Sequence, residues 1–309
     1  MRAPLFYSKI LLFGEYGIIK NSKGLSIPYN FYKGGLKLGD LRIEIVKESN
    51  ENLSIFRDYL LKIDNSIVLF DFNKMNDDLS KGMYFDSTIP QGYGIGSSGA
   101  LVAAFYDRYA ENKITVLENL TKDKIIILKN IFSKMESHFH GKSSGLDPLN
   151  SYLSLPILIR SKNQIETTGI PFQSSTGKGT VFLLDSGKSS ETAPMVDIFF
   201  NSMKNKNYSK IIREDFIRIT DSCVDNFLEG NFKSLFLDIR NLSKVVLDNF
   251  KPMIPKNFHN IWAKGIESND YFLKLCGSGG GGYILGFSED FKKAKSALKD
   301  YKLEVVYNF

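Results

Sequence analysis

Glycine and serine residues concentrate in the segment IPQGYGIGSSGA, where backbone amides could gather around an anion. Four glycines surround Ser97 and Ser98, and the apolar run that follows predicts a helix. Glycine has no Cβ, so the amides of such a turn can converge, and the first turn of a helix adds unpaired donors. The segment lacks the Gly-Lys-Ser/Thr ending of a Walker A loop and does not have the dinucleotide-binding pattern. It predicts a phosphate-binding turn, although glycine-rich turns also occur for purely structural reasons.

Two acidic residues, Glu136 and Asp147, flank the turn HGKSSG. Phosphoryl transfer needs a metal that holds phosphate oxygens and a group that orients or deprotonates the attacking hydroxyl. Glu136, late on a predicted helix, suits the first task, and Asp147 suits the second. The alternatives are a solvated helix acid for Glu136 and an N-cap for Asp147, with Pro148 at the first helical position.

A charged residue also interrupts the first apolar run, where Lys9 precedes ILLF. Such a lysine either reaches solvent from an edge strand or is a buried cation that faces anions. Near the other end of the chain, Cys276–Tyr283 contains five glycines in six positions between two apolar strands. A hairpin alone does not need so many glycines, so this segment predicts a functional loop with a close backbone approach.

The elements that must position these residues mix strands and helices, which predicts an α+β fold. Patterns typical of strands cover residues 9–19, 25–32, 36–46, 82–90, 177–187 and the C-terminus, and residues 271–287 have the pattern of a strand, a loop and a second strand. Patterns typical of helices cover residues 52–63, 100–112, 123–139, 212–230, 233–250 and the segment after 289.

Size and composition limit the class of protein. With 309 residues, 43% of them hydrophobic, the chain is expected to form two globular lobes. We place the boundary near Gly177, which gives domains 1–177 and 178–309. The excess of +6 charges is scattered, which argues against nucleic acid as a partner. No apolar run reaches the roughly 18 residues of a membrane span, and two distant cysteines fit a reducing cytoplasm as small buried residues.

In this order, SKILLFGEYGII, PQGYGIGSSGA and KLCGSGGGGYILG resemble the three motifs of the GHMP kinases, and Glu136 to Asp147 resembles their catalytic region. The resemblance extends over almost the whole chain. It implies the two-lobed GHMP fold, with an N-terminal lobe like the second domain of ribosomal protein S5, a C-terminal α+β lobe and a cleft between them. It also implies ATP and Mg²⁺ as cofactors.

The resemblance carries roles to individual residues. Lys9 and Asp147 match the catalytic residues, and Ser98 and Glu136 match the Mg²⁺ ligands. Asp185-Ser186-Gly187 followed by Thr192 matches a stretch that helps to close the site. The ATP-binding residues implied are Gly92, Gly94, Gly96, Ser97, Ser98, Gly99 and Ala100. The substrate-binding residues implied are Lys9, Glu15, Tyr16, Asp147, Gly279 and Gly280.

Among the GHMP kinases, the mevalonate kinases are the most similar, which implies mevalonate as the acceptor and a role in isoprenoid precursor synthesis. Tyr16 departs from the histidine common there and occurs in phosphomevalonate kinases, so a phosphomevalonate or sugar kinase is the alternative, with Lys142 or Lys188 available for an extra phosphate. A catalytically silent small-molecule-binding protein is a further alternative. Oligomeric state is left open, with a homodimer as one option.

Overall fold

Strands form where β-branched and aromatic residues alternate, and helices form where apolar residues recur every three or four positions. The computed structural model describes residues 4–116, 120–161, 163–174 and 177–309. The described strands are β1 (Phe6–Phe13), β2 (Gly24–Leu38), β3 (Met83–Ser87), β4 (Ile157–Ser161), β5 (Gln164–Thr167), β6 (Thr180–Asp185), β7 (Phe272–Leu275), β8 (Tyr283–Ser288) and β9 (Leu303–Asn308). The described α-helices are α1 (Glu44–Leu60), α2 (Phe72–Ser80), α3 (Ser97–Tyr109), α4 (Lys122–His140), α5 (Leu146–Leu153), α6 (Thr192–Ser202), α7 (Lys206–Ile211), α8 (Ile217–Leu228), α9 (Phe232–Asn249), α10 (His259–Ser268) and α11 (Phe291–Ala297).

Packing divides the chain into two compact units. The first contains residues 4–9, 28–90 and 96–155, and the second contains residues 10–27, 91–95 and 156–309. The α+β class predicted from the sequence is confirmed. The boundary near Gly177 stays a prediction about domains.

In the first unit, helices pack on an antiparallel pair of strands. The 34–38 part of β2 pairs with β3, so that Gly34 faces Ser87 and Leu38 faces Met83. α3 packs against α4 and α5 through buried aromatic rings, among which Tyr106 lies edge-on to Phe132 at 5.0 Å between centroids. This packing fixes the starts of α3 and α5 and the end of α4.

The second unit is built on a four-stranded antiparallel sheet in the order β7-β8-β6-β9. β6 and β8 are buried at nearly every position, as expected of central strands covered on both faces. Helices α8, α9 and α10 pack together, and Trp262 is fully buried with its indole N–H donating to the Ser243 carbonyl at 3.0 Å. β7 and β8 hold the two ends of the glycine-rich loop.

Three local expectations differ from the structure. The strand predicted over 36–46 ends at Leu38, and α1 begins at Glu44, because Asp40 and Arg42 form a turn and residues 43–46 also satisfy a helical period. β1 ends at Phe13, and a short 3₁₀ turn follows at Gly17–Lys20. The cap of α5 is Gly145, so the N-cap alternative for Asp147 is wrong, and Asp147 lies in the first turn of the helix.

Both cysteines, Cys223 and Cys276, are buried thiols, as expected. Within the described residues, the helices are too short or too polar to cross a bilayer.

Candidate active site

The centre of the site in the first unit is an ion pair between Lys9 and Asp147. Lys9 Nζ lies 2.9 Å from Asp147 Oδ1, and the lysine side chain is 5% exposed whereas that of the aspartate is 38% exposed. Lys9 is therefore a buried cation that faces an anion, and not a lysine that reaches solvent. The pair presents a carboxylate that a ligand can reach, held by a cation that solvent cannot.

Two glycines allow the backbone to come close to this pair. A Cβ on Gly96 would lie 3.1 Å from Lys9 Cγ, and a Cβ on Gly99 would lie 2.7 Å from the carbonyl carbon of Asp147. Gly96 has a φ of +84° and forms the N-cap of α3, a conformation that favours glycine. The start of α3 therefore lies directly against the start of α5, which brings the 96–99 part of the glycine-rich turn beside Asp147.

A cluster of hydroxyl groups surrounds Glu136, which is 3% exposed. Ser98 Oγ donates to Glu136 Oε1 at 3.2 Å, and Ser143 Oγ donates to Glu136 Oε2. His140 Nε2 lies 3.0 Å from Ser98 Oγ. Burial lowers the pKa of His140, which favours the neutral ring, whereas the charge of Asp147 opposes this shift.

The pKa of Glu136 is raised above its ordinary value, first by burial and then by the negative charge of Asp147. The solvated-acid alternative for Glu136 is therefore wrong. Burial and a like charge both disfavour the ionised form of this carboxyl. A bound cation would stabilise that form. Ser98 and Glu136 also offer hard oxygen atoms, the ligands that Mg²⁺ prefers.

The first turn of α3 supplies backbone donors. The amides of Ser97, Ser98 and Gly99 come before the helical hydrogen-bond pattern begins and point out of the N-terminal end. The amide of Ala100 instead donates to the Gly96 carbonyl at 3.0 Å, and its side chain is fully buried. The three earlier amides are therefore the ones suited to an anion.

In the second unit, the start of the predicted phosphate-binding turn packs on the loop between β7 and β8. A Cβ on Gly94 would lie 2.5 Å from the Cys276 carbonyl oxygen, and a Cβ on Gly282 would lie 2.5 Å from Tyr93 Cα. The Tyr283 amide donates to the Tyr93 carbonyl at 3.3 Å. The glycines therefore allow the backbone of this loop to lie close to the backbone of residues 93 and 94.

The predicted closing stretch touches both glycine-rich segments. The Ser190 amide donates to the Gly92 carbonyl at 3.0 Å, and the Lys188 carbonyl accepts from the Gly282 amide at 2.5 Å. Ser278 Oγ lies 3.5 Å from Thr192 Oγ1.

Glu15 and Tyr16 are both engaged inside the second unit. Lys274 Nζ lies 2.5 Å from Glu15 Oε1, and both side chains are 5% exposed. Tyr16 is 5% exposed and its hydroxyl donates to the Ser278 carbonyl at 2.6 Å. The sequence reasoning missed Lys274, although its position in the apolar strand FLKL gave the same signal as Lys9.

The structure therefore gathers the predicted residues in two groups. Lys9, Asp147, Ser98, Glu136 and Gly99 come together in the first unit, where His140 and Ser143, which the sequence reasoning did not assign, join them. Glu15, Tyr16, Gly92, Gly94, Gly279 and Gly280 belong to the second unit. The individual roles stay predictions.

A family model matches the part of the chain that contains the first-unit residues of this site. Residues 66–154 match the family model described as the GHMP kinases N terminal domain. This range contains α3, the Glu136 cluster and Asp147. A comparison with curated protein sequences finds no match.

Solved structures similar to this chain include three kinases. The Methanococcus jannaschii mevalonate kinase has a TM-score of 0.60 and 19% identity, over 100% of this chain and 98% of that chain. The Streptococcus pneumoniae phosphomevalonate kinase in complex with phosphomevalonate and AMPPNP has a TM-score of 0.65 and 14% identity, over 99% of each chain. The Lactococcus lactis galactokinase complexed with galactose has a TM-score of 0.63 and 11% identity, over 98% of this chain and 92% of that chain. Residues 66–154 thus match a GHMP kinases N-terminal domain, and the chain has the fold of the GHMP kinase structures and resembles mevalonate kinase.

Proposed function

We propose that this protein is an ATP-dependent kinase that phosphorylates the hydroxyl group of mevalonate. The observation that carries the proposal is the Lys9–Asp147 pair, with 2.9 Å between Nζ and Oδ1, at the N-terminal end of α3. Together with the first turn of α3, the pair places three groups in one unit: a carboxylate that a ligand can reach, a buried cation and backbone amides suited to an anion. Phosphoryl transfer to an alcohol uses each of these groups.

The acceptor hydroxyl donates to the Asp147 carboxylate, whose Oδ1 is held by Lys9. As the acceptor oxygen forms its bond to the γ-phosphorus, the bond from that phosphorus to the bridging oxygen of ADP breaks, and the hydroxyl proton passes to Asp147. Lys9 and the amides of Ser97 to Gly99 stabilise the negative charge on the γ-phosphoryl group during its transfer. Such fixed charges and dipoles commonly contribute more to the rate than proton transfer does.

Ser98 and Glu136 are the residues that would hold Mg²⁺. Among the described residues, no cluster of three or more His, Cys, Asp or Glu side chains could hold a metal alone. This fits an ion that takes its other ligands from water and substrate phosphates. When bound, Mg²⁺ would neutralise charge on the phosphate oxygens.

Two observations support mevalonate as the acceptor. The chain resembles mevalonate kinases, among them the L. major enzyme in complex with R-mevalonate, with a TM-score of 0.60 and 16% identity over 97% of this chain and 90% of that chain. The His-Gly-x-x-Ser-Gly-x-Asp pattern of residues 140–147 also follows Glu136 with the spacing typical of those enzymes. Phosphomevalonate is the second candidate, because Tyr16 has its counterpart in phosphomevalonate kinases and the solved phosphomevalonate kinase has a similar TM-score of 0.65.

The test is ADP release with mevalonate, phosphomevalonate and galactose offered separately, and the phosphorylated product identified by ³¹P NMR. We expect turnover with mevalonate alone. Turnover with phosphomevalonate or galactose alone would reassign the acceptor. Binding of ATP without turnover on any of them would support the silent-binder alternative.

Replacing Glu136 by glutamine tests the metal site. We expect the affinity for Mn²⁺, measured by water-proton relaxation in the presence of a non-hydrolysable ATP analogue, to fall by about tenfold or more, because a ligand charge is lost. The free energy of unfolding without metal is expected to change little, since burial already favours the neutral form of this carboxyl. Unchanged Mn²⁺ affinity would contradict the assignment of Glu136 as a ligand.

A further inference from the structure

We infer that Glu15 and Tyr16 are positioning residues that hold the glycine-rich loop 276–282, and through it the 92–94 part of the phosphate-binding turn, rather than groups that contact the acceptor. We call the Glu15–Lys274 pair and the Tyr16–Ser278 hydrogen bond the brace. The inference rests on the proposed function only in assuming that the turn binds a nucleotide.

The first half of the brace is a buried ion pair at the base of the loop. Lys274 belongs to β7, which ends at Leu275, one residue before the loop begins. Its Nζ donates to Glu15 Oε1 at 2.5 Å and to the Leu275 carbonyl at 2.8 Å. A buried charge needs its partner, so this pair fixes the residue from which the loop departs. The Glu15 side chain, 5% exposed, is poorly placed to meet a ligand.

The second half of the brace is the Tyr16 hydroxyl, which donates to the Ser278 carbonyl inside the loop at 2.6 Å. The ring packs on Phe199 and Phe250, with centroids 4.7 and 5.7 Å away. Tyr16 has a φ of +60°, a conformation uncommon for a residue other than glycine, so the surrounding packing must hold it there. Burial raises the pKa of the phenol, which therefore stays a neutral donor.

The loop passes this constraint to the phosphate-binding turn. Gly94 lies against the Cys276 carbonyl, where a Cβ would come within 2.5 Å, and Gly277 lies against Gly94, where a Cβ would come within 3.1 Å of its Cα. The Tyr283 amide donates to the Tyr93 carbonyl at 3.3 Å. A shift of the loop backbone would therefore displace residues 93 and 94. Shortly after Gly94 in the chain, the first turn of α3 supplies the amides of Ser97 to Gly99 that are proposed to hold the anion, and such donors must remain aligned.

The main test is Tyr16→Phe, which removes only the hydroxyl. We expect the dissociation constant of a non-hydrolysable ATP analogue, measured by calorimetry, to rise roughly fivefold, as for one lost hydrogen bond. The KM for the acceptor should change by less than about twofold, because the lost hydrogen bond affects only the binding of the nucleotide. Hydrogen exchange of the amides in 277–283 should accelerate in the protein without ligand.

Two further variants separate the brace from general damage. Glu15→Gln should weaken nucleotide binding in the same direction, and Glu15→Gln combined with Lys274→Met should recover part of the loss, because no buried charge is left unpaired. Tyr307→Phe is the matched control. Its hydroxyl donates to the Pro171 carbonyl at 2.6 Å in the same unit, away from the loop, and its loss should leave nucleotide binding unchanged.

A rise in acceptor KM with unchanged nucleotide affinity and unchanged exchange would overturn the inference and return Glu15 and Tyr16 to the acceptor site. So would the absence of any change in Tyr16→Phe. If the unaltered protein bound no nucleotide, the proposed function would fail, whereas the exchange rates of the loop would still decide whether the brace holds it.

Discussion

Asp147→Asn is expected to lower kcat by about 10³-fold, within the range for loss of a positioned proton acceptor. Asparagine keeps the shape of the side chain, and its oxygen can still accept from Lys9 at the position now 2.9 Å away. The loss should therefore fall on the chemical step, and the affinity for ATP should change little. Single-turnover measurements with mevalonate, together with calorimetric binding of an ATP analogue, check this expectation.

Asp86→Asn is the matched control for this variant. Asp86 also pairs with a lysine, since Lys37 Nζ lies 2.5 Å from Oδ2, but both side chains are about half exposed. Exposed pairs contribute little to stability, and this one joins β3 to its neighbouring strand β2. It should keep normal turnover. If Asp147→Asn retained more than about a tenth of the activity, Asp147 would not be the proton acceptor that general acid–base catalysis requires.

Gly99→Ala is expected to lower kcat by about 10²-fold, because small displacements of a reacting group have effects of this size. The new methyl group would lie 2.7 Å from the Asp147 carbonyl carbon and 2.9 Å from the Pro148 nitrogen, so α3 and α5 must move apart. This movement displaces Asp147 relative to Ser98 and Lys9. We also expect a loss of about 1–3 kcal/mol in the free energy of unfolding, as for other overpacked sites.

Gly169→Ala is the control, because a Cβ there would meet nothing within 4 Å and Gly169 is not among the glycines with positive φ. It should leave both kcat and the urea midpoint unchanged. A Gly99→Ala protein with normal kcat would show that the contact between α3 and α5 does not set the position of Asp147.

The long, strongly patterned elements follow from the sequence. α4 runs from Lys122 to His140, close to the helix predicted over 123–139, and α9 runs from Phe232 to Asn249, close to that predicted over 233–250. The apolar residues of α4 and α9 recur with the helical period, which matches one buried face, and they do not alternate as in a strand. The short Ile-Glu-Ile-Val run at 43–46 fits both periods, so its alternation predicts a strand, whereas the packing of Val46, 5% exposed, favours the helix.

By itself the sequence determined where the backbone must bend closely around a ligand or another backbone. Glycines and a helix start are local requirements, and they can be recognised without knowing their neighbours. The tertiary structure alone decided which charges meet. Lys9 and Asp147 are far apart in the chain, and so are Glu15 and Lys274, yet each pair forms an ion pair. Burial of these charges is stable only with a partner, and folding supplies that partner from a distant segment.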